Sequence, residues 1–137
     1  IYFTMRFRNE PNKLYYVYVN DEFDTIETLH GLYLNIPTKK FGIDGDITKI
    51  GDQYHLFYVA HDGEAGIKHA VSNIANGDYT FDPRWYDLEP KACEAPNVWK
   101  RIGEDKWVLM YDVYSVNPHN SLHQTSDLLT LKIWAFQ

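Results

Sequence analysis

Residues 42–60 read GIDGDITKIGDQYHLFYVA, and this stretch indicates the fold class. Its YHLFY segment has the aromatic and large apolar residues of a half-buried strand. The Ile-Gly-acid step just ahead of Tyr54 is a turn signal between two strands, so the stretch predicts a hairpin. The unusual feature is the placement of Asp44 and Asp46 around Gly45, where an apolar run is about to enter a core.

The aromatic strand recurs at a nearly constant interval. IYFTMRF begins at Ile1, YHLFYVA at Tyr54 and WVLMYDVY at Trp107, so Tyr2, Tyr54 and Trp107 are 52 and 53 residues apart. No segment has a sustained helical period, because Pro and Gly interrupt each candidate, and we predict an all-β fold. A period near 50 residues built from about four short strands is typical of a β-propeller blade.

This interval predicts a single partial β-propeller domain over residues 1–137, with blade portions at approximately 1–35, 40–90 and 91–137. Each blade is expected to be a four-stranded antiparallel sheet, and the chain provides about two and a half of them. Propellers close with four or more blades. Because the chain also starts inside a strand, without Met or a signal peptide, we expect a fragment or a processed product.

Composition limits the partners. A net charge of −6 argues against nucleic acid or an anionic membrane, since both attract basic surfaces. The single cysteine excludes a disulfide framework within the chain and does not indicate a cellular compartment. An aromatic content of 16% favours β structure and would also suit a sugar-binding cleft.

Two acids occupy similar places in successive repeats. Asp44 precedes Tyr54 by ten residues, and Glu94 precedes Trp107 by thirteen. The first strand of a propeller blade lies against the central channel, so these acids would face each other at the entrance of the innermost strands. Paired carboxylates are what glycoside hydrolysis requires. The alternative is that both are ordinary turn or loop residues, since Asp beside Gly is common in tight corners.

At these residues the sequence resembles a known family. The ordered segments GIDGDITKIGDQYHLFYVA, GIKHAVS, CEAPNVWKRIGEDKWVLMYDVYS and TSDLLTLK are similar to the five-bladed β-propeller glycoside hydrolases of family 43, over roughly Ile1 to Leu131. That family includes arabinofuranosidases, β-xylosidases and arabinanases. The resemblance implies a partial five-bladed β-propeller from an inverting hydrolase of arabinofuranosyl or xylosyl linkages in xylan, arabinan and related plant polysaccharides. The sugar, the linkage, and exo or endo action stay open.

The resemblance also implies roles for individual residues. The Asp of the family's IDxD segment is Asp44 here, which orients the acid and modulates its pKa, with Asp46 as the second candidate for that role. The Glu of the EGP or EAP segment is Glu94, the general acid. The general base is an Asp that the resemblance places upstream of Ile1, so residues 1–137 alone are expected to have little hydrolytic activity.

Other candidate residues are expected to border the central channel of the propeller. His61 follows a strand in a turn, and Trp99 and Tyr111 could stack on a sugar, although core packing is the alternative for both rings. His55 is predicted to be a surface or edge residue. No cofactor is expected, and no segment matches the metal site that many family members carry. The expected partner is an oligosaccharide or polysaccharide, and the resemblance favours a secreted or periplasmic protein.

A different class of function is also compatible with these patterns. A non-catalytic carbohydrate-binding or self-assembling propeller module would bind sugars through its aromatic residues and associate through unpaired blade edges. A base-bearing blade upstream in the full gene would favour the enzyme, and its absence would favour the module.

Overall fold

The computed structural model describes residues 1–35, 42–60, 67–82, 93–105, 107–113 and 124–125. All regular secondary structure in these ranges is β-strand, which confirms the predicted all-β class. Across the same ranges, no helix has the length and apolar character needed to cross a membrane.

The described strands form three sheets. The first sheet has the order β1-β2-β3, with β1 (Tyr2–Met5), β2 (Lys13–Tyr16) and β3 (His30–Gly31). The middle sheet has the order β4-β8-β7-β6-β5, with β4 (Leu34–Asn35), β5 (Gly42–Ile50), β6 (Gln53–Ala60), β7 (Ile67–Ser72) and β8 (Tyr79–Phe81). The third sheet has the order β11-β10-β9, with β9 (Cys93–Lys100), β10 (Trp107–Val113) and β11 (Gln124–Thr125).

The recurring aromatic strands of the sequence are present as β1, β6 and β10, which begin at Tyr2, Gln53 and Trp107. All strand pairs are antiparallel except β4 and β8, which are parallel. β4 follows the first sheet in the chain but pairs at the outer edge of the middle sheet, with Leu34 opposite Tyr79. The chain therefore ties the first two sheets together.

The acid-bearing segment is itself a strand. Asp44 and Asp46 lie inside β5, so the alternative in which they are turn or loop residues does not describe them. β5 pairs with β6 across the predicted turn, with Ile50 opposite Gln53 and Gly51 at φ 61°. The strand is at the edge of the middle sheet, where one side has no described neighbour in the ladder, so polar residues are tolerated there.

One face of the middle sheet packs against the first sheet in an apolar core. Leu14 of β2 belongs to the same buried cluster as residues from β6, β7 and β8, namely Leu56, Tyr58, Ala70 and Tyr79. Partly buried apolar side chains surround this cluster: Leu32, Leu34, Ile47 and Tyr54. Alternation along β6 places these side chains on one face and its odd-numbered residues on the other.

The opposite face of the middle sheet carries a buried polar group, and here the prediction for His55 is wrong. His55 is only 4% exposed, and its Nδ1 lies 2.9 Å from Nε2 of His69. The Phe57 ring lies 4.7 Å from the His69 ring, and Asp82 Oδ2 is 3.8 Å from His69 Nδ1. Because one ring nitrogen of each imidazole is hydrogen-bonded to the other, a histidine is tolerated at this buried strand position.

Gly45 is required by the packing between the first two sheets. A Cβ on Gly45 would lie 2.8 Å from Leu14 Cδ1 and 2.9 Å from Leu56 Cδ1, and both leucines are buried. We expect Gly45→Ala to lower the free energy of unfolding by about 1–3 kcal/mol, because overpacking forces the core to shift. Denaturant unfolding measures this.

Gly31→Ala is the matched control for that substitution. The nearest atom to a Cβ on Gly31 is Tyr15 Cε1 at 4.0 Å, an ordinary contact. Equal destabilisation by the two substitutions would contradict the packing explanation, since of these two sites Gly45 alone lacks space for a Cβ.

Candidate active site

β5 begins with a β-bulge. Ile43 is opposite Val59 and Asp46 is opposite Phe57, so two residues, Asp44 and Gly45, face a single residue of β6. Asp44 has φ 51°, in the left-handed region. A bulge of this kind kinks the strand and redirects the side chains that flank it.

β9 begins with the same irregularity. Glu94 is opposite Asp112 and Asn97 is opposite Met110, so two residues of β9 again face one of β10. The left-handed residue is Ala95, with φ 52°. Glu94 therefore directly precedes the left-handed position, whereas Asp44 occupies it. The two acids lie at nearly equivalent places, offset by one residue.

The geometry of this bulge explains the EGP or EAP pattern at β9. Backbone with positive φ favours glycine, because other residues bring Cβ close to the backbone. The glycine of the EGP form that the resemblance implies would fall on the residue of this chain that adopts the left-handed conformation, Ala95.

The two acid-bearing strands are neighbours. β5 and β9 are the terminal described strands of the middle and third sheets, and they pack against each other. The Val98 backbone N–H of β9 donates a hydrogen bond to Asp46 Oδ2 of β5, with an N···O distance of 2.6 Å. Asp44 and Glu94 are both half-buried at the starts of these strands.

A second hydrogen bond joins the β5 bulge to the first sheet. The Asp44 backbone N–H donates to Thr4 Oγ1 on β1, with an N···O distance of 2.7 Å. β1 is the terminal strand of the first sheet. The segment that contains Asp44 is therefore bonded to both neighbouring sheets.

Burial raises the pKa of the Asp46 carboxyl above its ordinary value of 3.8, and the hydrogen bond from Val98 offsets part of that increase. The folded protein therefore binds this proton more tightly than the unfolded chain does. Between 3.8 and the raised pKa, stability is greatest at low pH and decreases as the pH rises.

We expect the stability of Asp46→Asn, relative to the unsubstituted protein, to increase as the pH rises through that window and then to level off. The reason is that asparagine carries no charge that becomes buried on deprotonation. The free energy of unfolding measured from about pH 3 to pH 7 tests this. Asp21→Asn, at an exposed position, controls for the lost charge. A relative stability that decreases with pH would contradict the expectation.

The other predicted site residues are Trp99, Tyr111 and His61. Trp99 is 37% exposed and alternates along β9 with the buried Pro96 and Val98, so its ring lies on the exposed face of the strand. Tyr111 is in β10 opposite the β9 bulge, and its side chain lies outside the described part of the structure. His61 lies outside the described residues altogether.

Two neighbouring strands that begin with matching bulges, each with an acid, characterise this site. A family model described as a probable glycosyl hydrolase domain, from a family related to glycosyl hydrolase family 43, matches residues 4–136. The chain belongs to this family. Searches of curated proteins and of solved structures gave no match.

In this probable glycosyl hydrolase domain, the sequence patterns did not mark Thr4, which bonds the β5 bulge, or His69, which bonds His55 in the middle sheet. Thr4 and His69 gave no signal, because their partners are distant in sequence, as with Thr4 and Asp44, which are 40 residues apart. Within the described ranges, no group of three or more His, Cys, Asp or Glu side chains is arranged to hold a metal ion.

Proposed function

We propose that this domain belongs to an inverting glycoside hydrolase that acts on arabinofuranosyl or xylosyl linkages of plant polysaccharides. The observation that carries the proposal is the pair of bulges that bring Asp44 and Glu94 to the starts of two bonded neighbouring strands. Family membership supports the hydrolysis of glycosidic bonds as the reaction class. The resemblance to family 43 enzymes supports the sugar class and inversion.

In the proposed reaction, Glu94 donates a proton to the glycosidic oxygen as the leaving group departs. Asp44 orients Glu94 from the neighbouring strand. Inversion requires a third carboxylate that activates water on the opposite face of the sugar ring. We propose that this base is an Asp outside residues 1–137, so the reaction is a property of the intact protein.

We further propose that the three sheets are parts of successive blades of a five-bladed β-propeller. Two observations support this: the interval between β1, β6 and β10, and the packing of β5 against both β1 and β9. In such a ring β5 and β9, which precede the aromatic strands β6 and β10, line the central channel, and the polysaccharide substrate would enter there.

A non-catalytic carbohydrate-binding module is the second candidate, and exposed aromatic rings favour it. Tyr18 is 47% exposed, Phe23 70% and Tyr33 64%, all in the first 35 residues. Rings of this kind can pack against sugars without any acid–base chemistry. This candidate includes association with further copies through unpaired strand edges.

The test is hydrolysis of an aryl α-L-arabinofuranoside and an aryl β-D-xyloside by the intact protein, with the product anomer followed by proton NMR. Release of sugar with inverted configuration, abolished by Glu94→Gln on substrates with poor leaving groups, supports the hydrolase. Sugar binding without turnover supports the binding module. Release with retained configuration overturns the proposed mechanism.

A further inference from the structure

One type of contact recurs between the terminal strands of neighbouring sheets, which are β1, β5 and β9 among the described strands. A side-chain oxygen of one strand accepts a hydrogen bond from a backbone N–H of the terminal strand in the next sheet. Thr4 Oγ1 of β1 accepts from the Asp44 N–H of β5 at 2.7 Å. Asp46 Oδ2 of β5 accepts from the Val98 N–H of β9 at 2.6 Å.

Edge strands present backbone groups that the ladder leaves unsatisfied. A buried N–H without an acceptor costs free energy, so an oxygen supplied by the preceding sheet restricts where the next strand can lie. Both contacts are short, and both are partly buried from solvent. Each therefore fixes the position of one strand relative to its neighbour.

The contacts also lie beside the acids. The first holds the backbone of Asp44 itself, at the left-handed residue of the bulge. The second holds Val98, which lies in β9 four residues after Glu94. Because β5 makes both contacts within three residues, the placement of Glu94 relative to Asp44 depends on Asp46.

We infer that Thr4 and Asp46 are positioning residues that set the relative placement of Asp44 and Glu94. This inference rests on the proposed function. Neither residue contacts the sugar in this scheme, and both act through the backbone of an acid-bearing strand. A shift of about 1 Å in a catalytic group can cost about a hundredfold in rate.

Paired substitutions separate the oxygen acceptor from the size of the side chain. Thr4→Val removes the hydroxyl at similar volume, whereas Thr4→Ser retains it. Asp46→Leu removes the acceptor, whereas Asp46→Asn retains an oxygen that the Val98 N–H can reach. Thr80→Val, at an exposed position of β8, controls for the Thr-to-Val change in a strand.

The experiment combines amide hydrogen exchange with steady-state kinetics of the intact protein on an aryl arabinofuranoside and an aryl xyloside. We expect Thr4→Val to speed exchange at the Asp44 amide and Asp46→Leu to speed exchange at the Val98 amide. Each should lower kcat about 10- to 100-fold with little change in KM, and Thr4→Ser and Asp46→Asn should restore most of the loss.

Faster exchange with an unchanged kcat overturns the inference, because the two hydrogen bonds would then not affect the placement of the catalytic acids. Unchanged exchange in both acceptor-free variants also overturns it. The proposed function is tested separately. Turnover of substrates with poor leaving groups that Glu94→Gln leaves unchanged would overturn it.

Discussion

Replacement of Glu94 with Gln is expected to lower kcat of the intact protein by about 10²- to 10⁴-fold on substrates with poor leaving groups. Glutamine has a similar shape but no proton to donate to the departing oxygen. Activated aryl glycosides need little protonation of the leaving group, so we expect a much smaller loss on them. Comparison of kcat across leaving groups of different acidity measures the effect.

Glu27→Gln is the control for this substitution. Glu27 is exposed, and its backbone N–H, which the substitution leaves in place, donates to the Tyr18 carbonyl oxygen. We expect this variant to match the unsubstituted protein on every substrate. An equal loss by Glu94→Gln on poor and activated leaving groups would contradict the role of Glu94 as general acid.

Tyr79→Ala is expected to lower the free energy of unfolding by about 3–5 kcal/mol, the range for removing a large buried ring. Tyr79 is 0% exposed and lies in the core cluster between the first and middle sheets. Its hydroxyl donates to the Ala75 carbonyl oxygen at 2.8 Å, which satisfies the polar end of the ring. Denaturant unfolding of the purified chain measures the loss.

Tyr79→Phe separates the ring from its hydroxyl. It keeps the buried ring and removes only the hydrogen bond to Ala75, so we expect a loss of about 1 kcal/mol. If Tyr79→Ala lowered the free energy of unfolding no more than Tyr79→Phe does, burial of the ring would not contribute substantially to the stability of this core.

Local patterns predicted much of this fold. The aromatic strands at Tyr2, Tyr54 and Trp107 correspond to β1, β6 and β10 because ring-rich alternation is a property of each segment alone. The turn at Gly51 was predictable for the same reason, since the residue at φ 61° is a glycine followed by an acid. The sequence also indicated Asp44 and Glu94 as the acids of interest, and their catalytic roles stay predictions.

Features that depend on distant residues could not be predicted. His55 was expected at the surface because it alternates with Leu56 along a strand, whereas in the fold it is buried against His69, which no local pattern indicates. The hydrogen bond from Asp44 to Thr4 joins two sheets, and no local pattern marks Thr4 as an acceptor. The bulges were also missed, because no local pattern marks Asp44 or Ala95 as left-handed.

The parallel pairing of β4 with β8 has a consequence for folding kinetics. β5 to β8 follow one another as a meander of neighbouring hairpins, which need only short loops to form. β4 cannot pair until β8 has formed, since Leu34 of β4 pairs with Tyr79 of β8, which lies 45 residues later in the chain. We expect this closure to form after the transition state. Contacts that form late mainly slow unfolding. We therefore expect the pairing of β4 with β8 to slow the separation of the first two sheets without speeding their assembly.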